Sequence, residues 1–175
     1  MQLKKLAIKI PFSRAELPST ERWIELMNVW IRDNVIPGTL IDVADYSHMV
    51  NGPGIVLVAH EYILSLDHQN GWSGLRISSR RDTGKEAKDE LKGLVSILAK
   101  ASISVSGEFD LSLDTSRVEI SALDRLNQGG KDEIIALAKE VLGSTGEERS
   151  PRDAKALPGV DINFSEAFSL ESFAS

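Results

Sequence analysis

From Leu40 to Arg81 the chain reads as a series of short apolar or alternating runs, with two strong turn signals among them. Ile41 and Val43 open the first run. Ile55-Val56-Leu57-Val58 is the second, continuously apolar as in a central strand covered on both faces. Tyr62, Leu64 and Leu66 alternate in the third, and Leu75 and Ile77 begin a return. Asn51-Gly52-Pro53-Gly54 and Asp67-His68-Gln69-Asn70-Gly71 separate the runs, because glycine admits positive φ and proline fixes its own. Strands joined this tightly pair antiparallel, so the segment predicts an antiparallel meander.

The flanking sequence supplies one strand ahead of the meander, three helices and a further hairpin. Leu6, Ile8 and Ile10 alternate with Ala7 and Lys9. Thr20 is a suitable N-cap for a helix carrying Trp23, Ile24, Met27, Trp30 and Ile31 on one stripe, which Pro37-Gly38 ends. Core packing explains that stripe at less cost than a ligand box. Thr83-Gly84-Lys85-Glu86 matches a capping box ahead of Ala87, Leu91, Leu94, Val95 and Leu98. Gly107 then separates this second helix from an expected hairpin, Phe109, Leu111 and Leu113 against Val118, Ile120 and Ala122. Ile134, Ile135, Ala138, Val141 and Leu142 trace a third helix, with Gly143 as its C-terminal cap.

These elements predict an α+β fold: a single mixed, largely antiparallel sheet covered by three helices, in the order β-α-β-β-β-α-β-β-α. The globular domain is expected over 1–143. A polar linker over 144–159 leads to a tail, where three of the five phenylalanines fall within the last twelve residues. That tail, 160–175, is expected to dock as an edge strand on its own or another protomer's sheet, or to engage a partner.

Composition excludes several chemistries. With no cysteine there is no disulfide scaffold, thiolate zinc site, thiol nucleophile or iron–sulfur cluster. A hydrophobic content of 42% argues against wholesale disorder. No apolar run approaches the roughly 18–20 residues that span a bilayer, and Met1 to Pro11 lacks the apolar stretch of a secretory signal. No membrane association and a cytoplasmic location are the expectation. The net charge of −6 is regional: residues 1–104 hold 13 basic and 12 acidic side chains, and 105–175 hold 7 and 14. Nucleic acid is therefore not an expected partner. Arg76, Arg80 and Arg81 begin the most basic stretch, but acids interleave with it. It reads as a solvated face, with anion binding as the alternative.

All three histidines, His48, His60 and His68, fall within 21 residues, beside Asp42, Asp45, Glu61 and Asp67. Imidazole and carboxylate together can ligate zinc, manganese or iron and polarise water; no cofactor is the expectation, with a divalent metal as the alternative. His60 and Glu61 are sequential and point to opposite faces of a regular strand. The competing reading is a satisfied, partly buried His60 and a solvated His68. His60-Glu61 begins the zinc-protease helix motif, but position 64 is Leu. Gly52-Pro53-Gly54 begins a dinucleotide pattern, but position 57 is Leu and a strand follows. No phosphate-binding loop, nucleophile elbow or RNA-binding aromatic strand pattern occurs.

The stretch Asp42-Val-Ala-Asp45-Tyr46-Ser-His48, then Gly52-Pro53-Gly54-Ile-Val-Leu-Val-Ala-His60-Glu61, then Asp67, resembles a segment of an uncharacterised group of bacterial proteins. Val118-Glu-Ile-Ser-Ala-Leu-Asp124-Arg125-Leu126 resembles the same group, and the resemblance covers residues 3–142. It implies a bacterial cytoplasmic protein and carries no activity with it. It singles out Asp45, His48, Gly52, Gly54, His60 and Glu61. The resulting expectation is a non-enzymatic binding or assembly protein that forms a homo-oligomer, specifically a homodimer. The alternative is a small metal-dependent hydrolase or lyase using His48, His60 and Glu61.

Overall fold

Two neighbouring residue rows that cross the sheet explain how this chain folds. The first is Val43–Leu57–Leu64–Ile77–Ile8–Ile120–Val160, paired strand by strand and wholly apolar. The second, one residue along each strand, is Ala44–Val56–Ser65–Arg76–Lys9–Glu119–Asp161. Strand side chains alternate between faces, so one face is largely apolar and the other carries a charged band at its centre.

The computed structural model describes residues 3–50, 52–123, 130–148 and 159–175. Its strands are β1 (Leu6–Pro11), β2 (Leu40–Tyr46), β3 (Gly54–Ala59), β4 (Tyr62–Asp67), β5 (Gly74–Ser79), β6 (Arg117–Ala122), β7 (Gly146–Glu148) and β8 (Gly159–Phe164). They form one sheet in the order β2-β3-β4-β5-β1-β6-β8-β7, with every neighbouring pair antiparallel. Three helices cover the apolar face: α1 (Thr20–Asp33) over β2 and β3, α2 (Ala87–Phe109) over β1 and β5, and α3 (Lys131–Leu142) over β6 and β8. The expected α+β architecture is thus present. Among the described residues no helix is long and apolar enough to cross a membrane.

The core follows the helical stripes. Trp23, Met27 and Trp30 are fully buried. Trp23 lies between Phe12 and Phe109, with ring centroids at 5.6 and 4.9 Å. The Trp30 indole donates to Ser104 Oγ at 2.7 Å. Gly143 caps α3 in the left-handed conformation, as its position after the apolar stripe predicts.

Five local expectations are corrected. The element order is β-α-β-β-β-β-α-β-α-β-β: all four runs of the meander form strands where the expected order counted three, the 109–122 region gives one strand instead of two, and β7 and β8 follow α3. The hairpin at 109–122 does not form. Phe109 is the last residue of α2, which runs through Gly107, and Leu113 makes only an isolated bridge to Phe12. Ser19, not Thr20, caps α1, its side chain accepting from the Arg22 N–H. The capping box at Thr83 is also absent: the Thr83 hydroxyl donates to the buried Glu90 carboxylate at 2.8 Å, alongside Ser79. The run Ile55–Val58 is covered as expected, yet it lies next to the β2 edge and not at the sheet's centre.

The sheet also extends past Gly143. β8 lies inside it, between β6 and β7, with Val160 and Ile162 fully buried. Phe164, Phe168 and Phe173 form an edge-to-face series with centroid spacings of 5.8 and 6.5 Å. Residues 159–175 therefore pack into the same sheet and core as the described residues before Gly143, and both edges of β8 are already paired. Within the linker expected over 144–159, residues 146–148 instead form β7 and Gly159 opens β8; residues 149–158 lie outside the described residues, as do 1–2, Asn51 and 124–129.

Candidate functional site

The charged band on the open face is the chemically densest part of the described chain. Lys9 stands at its centre, between Arg76 on β5 and Glu119 on β6. It is 1% exposed, although its place in an alternating strand marks it as solvent-facing. The β4–β5 loop explains the burial by folding back over the sheet. The Lys9 ammonium donates to the Gln69 carbonyl at 2.8 Å and the Trp72 carbonyl at 2.7 Å, and it meets Asp67 Oδ2 at 2.7 Å. Those three acceptors match the three N–H groups of an ammonium. Asp67 is reached diagonally across β5, where Gly74 has no side chain to intervene.

Trp72 closes the cover. Its ring lies 4.0 Å from Lys9 Nζ and 4.1 Å from the Arg117 guanidinium, both cation–π contacts. Arg117 in turn holds Asp161 through two hydrogen bonds of 3.1 and 2.7 Å, the bidentate geometry a guanidinium favours. Asn70, at φ 63°, donates from Nδ2 to Glu119 Oε2 at 3.1 Å. Burial lowers the Lys9 pKa from the usual lysine value, with Asp67 and Glu119 opposing that shift. Because every ammonium proton already has an acceptor, this lysine acts as a peg between loop and sheet and offers no free lone pair for attack.

The residues singled out by sequence lie elsewhere. Asp45 and His48 are exposed at one end of the β2–β3 hairpin. The Asp45 carboxylate accepts from the Ser47 hydroxyl and N–H, which lower its pKa from the ordinary aspartate value. His60 and Glu61 are exposed at the opposite end, where the His60 N–H donates to the Thr39 carbonyl at 2.8 Å and Glu61 Oε2 accepts from the Thr39 N–H at 3.3 Å. The six residues of β3 separate the two ends by about 17 Å at the usual strand rise. One ion cannot be shared by His48 and His60, which removes the geometry that the hydrolase or lyase reading requires. His68 lies in the β4–β5 loop, its Nδ1 at 2.6 Å from Ser73 Oγ. Among the described residues no group of three His, Asp or Glu side chains is arranged to hold a metal ion.

The three arginines separate in the same way. Arg76 belongs to the charged band. Arg80, four residues further along, donates to the Ala59 carbonyl at 2.8 Å and fastens the β3–β4 turn. Arg81 is exposed. They make no single anion pocket.

Gly54 has a structural role. Its φ is +75°, and a Cβ there would lie 2.1 Å from the Leu66 carbonyl oxygen on β4. Gly54→Ala is expected to destabilise the fold by about 2 kcal/mol, read from the urea midpoint, since both the backbone conformation and the strand spacing oppose a side chain. The chain matches no protein-family model, and no curated protein is significantly similar to it.

Proposed function

We propose that this chain is a non-enzymatic binding or assembly protein of the bacterial cytoplasm, acting as a homodimer through the β2 end of its sheet. One observation carries the reading. Of the six large hydrophobic side chains exposed among the described residues, five (Val35, Ile41, Tyr46, Met49 and Val50) fall between the end of α1 and the start of β3. Val50 is 91% exposed. Apolar side chains gathered on one border mark a contact surface more readily than singly scattered ones do.

The edge itself favours side-chain packing over sheet extension. The Val43 N–H is taken by the Asp42 carboxylate at 2.8 Å, and the β2–β3 register shifts between Leu40 and Asp42. A capped donor, an acidic side chain and a bulge all discourage strand addition. The interior charges support the same reading, because Lys9, Asp67, Arg117 and Asp161 are engaged with one another and with the loop. Light scattering at micromolar concentration tests the proposal: the natural chain is expected to be dimeric, and Met49→Asp with Val50→Asp to dissociate it. A monomeric natural chain, or a dimer indifferent to both substitutions, would remove this surface from the function.

A further inference from the structure

We propose that Asn70–Gly71 is a site of spontaneous covalent modification, deamidation, which the fold suppresses and whose product unfastens the tip of the β4–β5 loop from Glu119. The reaction needs only water. The Gly71 amide nitrogen attacks Asn70 Cγ, the new N–Cγ bond closes a five-membered imide, and the Cγ–Nδ2 bond breaks to release ammonia. Water then opens the ring to aspartate or isoaspartate. Glycine on the C-terminal side leaves that nitrogen unshielded, and a Cβ at Gly71 would have no atom within 4 Å, so the site is open to solvent.

Two features hold the reaction back. Ring closure needs Cβ of Asn70 and the Gly71 nitrogen to eclipse about the Cα–C bond, whereas a ψ of 23° keeps them on opposite sides of it. The amide that must leave is also engaged, its Nδ2 donating to Glu119 Oε2 at 3.1 Å. Both restraints fail when the loop lifts, so the modification reports loop opening.

The product changes the sign of the contact. An aspartate at this position faces the Glu119 carboxylate directly and has no N–H to donate. Carboxylates forced together repel, and one of the loop's tethers becomes a reason to leave. Lys9 still holds the Gln69 and Trp72 carbonyls, so release is local and the sheet stays folded.

The test follows the full chain at mildly alkaline pH, folded and in urea, with peptide mapping of the Asn70–Gly71 bond. Deamidation there is expected to run at least about tenfold slower in the folded chain, the factor given by a loop open less than a tenth of the time. Asn70→Asp, read by hydrogen exchange, is expected to speed exchange across 68–73 about tenfold while β4 and β5 stay protected. Asn70→Ser, which adds no charge, is expected to show a smaller change. Equal rates in the folded and unfolded chains would overturn the suppression. Unchanged loop exchange in Asn70→Asp, or an equal effect from Asn70→Ser, would overturn release by charge.

Discussion

A chain ended at Gly143 is expected not to fold. The reason is the position of β8, which pairs with β6 along five residues and carries β7 on its other edge. Removing it strips Val160, Ile162, Phe164, Phe168 and Leu170 from the core, all of them buried. At roughly 1.5–3 kcal/mol for each side chain, the loss is about 10 kcal/mol, comparable with the entire stability of an ordinary domain. Backbone contacts from the Phe164 N–H to the Ser116 carbonyl and from the Phe168 N–H to the Thr115 carbonyl disappear as well. Arg117 loses Asp161 beside Trp72. Circular dichroism and urea unfolding measure the outcome: no cooperative transition for 1–143. A chain ended at Leu170, which loses the last short turn and the partly buried Phe173, is expected to fold with a loss of about 2 kcal/mol. Cooperative unfolding of the 1–143 fragment would place the domain boundary at Gly143 and make β8 an accessory.

The meander was legible because its information is local: its apolar runs are short and two of the breaks between them carry turn residues, where Gly54 and Gly71 adopt the positive φ that glycine admits. The elements that failed are those decided by distant contacts. Phe109, Leu111 and Leu113 alternate like a strand, yet Phe109 continues α2 because its ring packs edge-on against Trp23. Burying that ring outweighs the helix penalty of about 1 kcal/mol that Gly107 carries. Glu86 looked like the acidic half of a capping box, but Glu90, one turn later, takes the Thr83 hydroxyl into the interior. β8 reads as a weak alternating run after a polar stretch, and only its partner β6 makes it an interior strand.

The site divides along the same line. Three histidines crowded in sequence suggest convergence, but a meander carries successive turns to opposite ends of the sheet, so His48 and His60 are kept apart by the strand that links them. The charged band has the opposite character. Lys9, Arg76, Glu119 and Asp161 are scattered over four strands and meet only through the register. A lysine on the polar face of β1 gives no local sign of burial, since the loop that covers it lies sixty residues away. Trp72 beside Gly74 was the available hint: an aromatic residue in a turn needs something to cover.

Lys9→Met is expected to destabilise the chain by about 3–5 kcal/mol, the range for removing one partner of a buried ion pair. The methionine keeps most of the side-chain volume, so the loss reflects charge and hydrogen bonding more than packing. Asp67, 2% exposed, is left as a buried carboxylate without its cation, and the Gln69 and Trp72 carbonyls lose their donor. For a domain of this size that corresponds to a fall in Tm of about 10 °C. The double variant Lys9→Met, Asp67→Leu is expected to recover about half of the loss, because the stranded charge goes while the two carbonyls stay unpaired. An exposed ion pair gives the reference. Lys88 meets Glu140 at 2.7 Å with both side chains about half exposed, and Lys88→Met is expected to cost no more than about 0.5 kcal/mol. Urea unfolding of the four chains distinguishes the cases. Lys9→Met no worse than Lys88→Met would mean that the β4–β5 loop is held by Trp72 and Asn70 without the ammonium. A large loss only partly relieved in the double variant identifies the lysine as the peg through which a loop from one hairpin locks the polar face of the whole sheet.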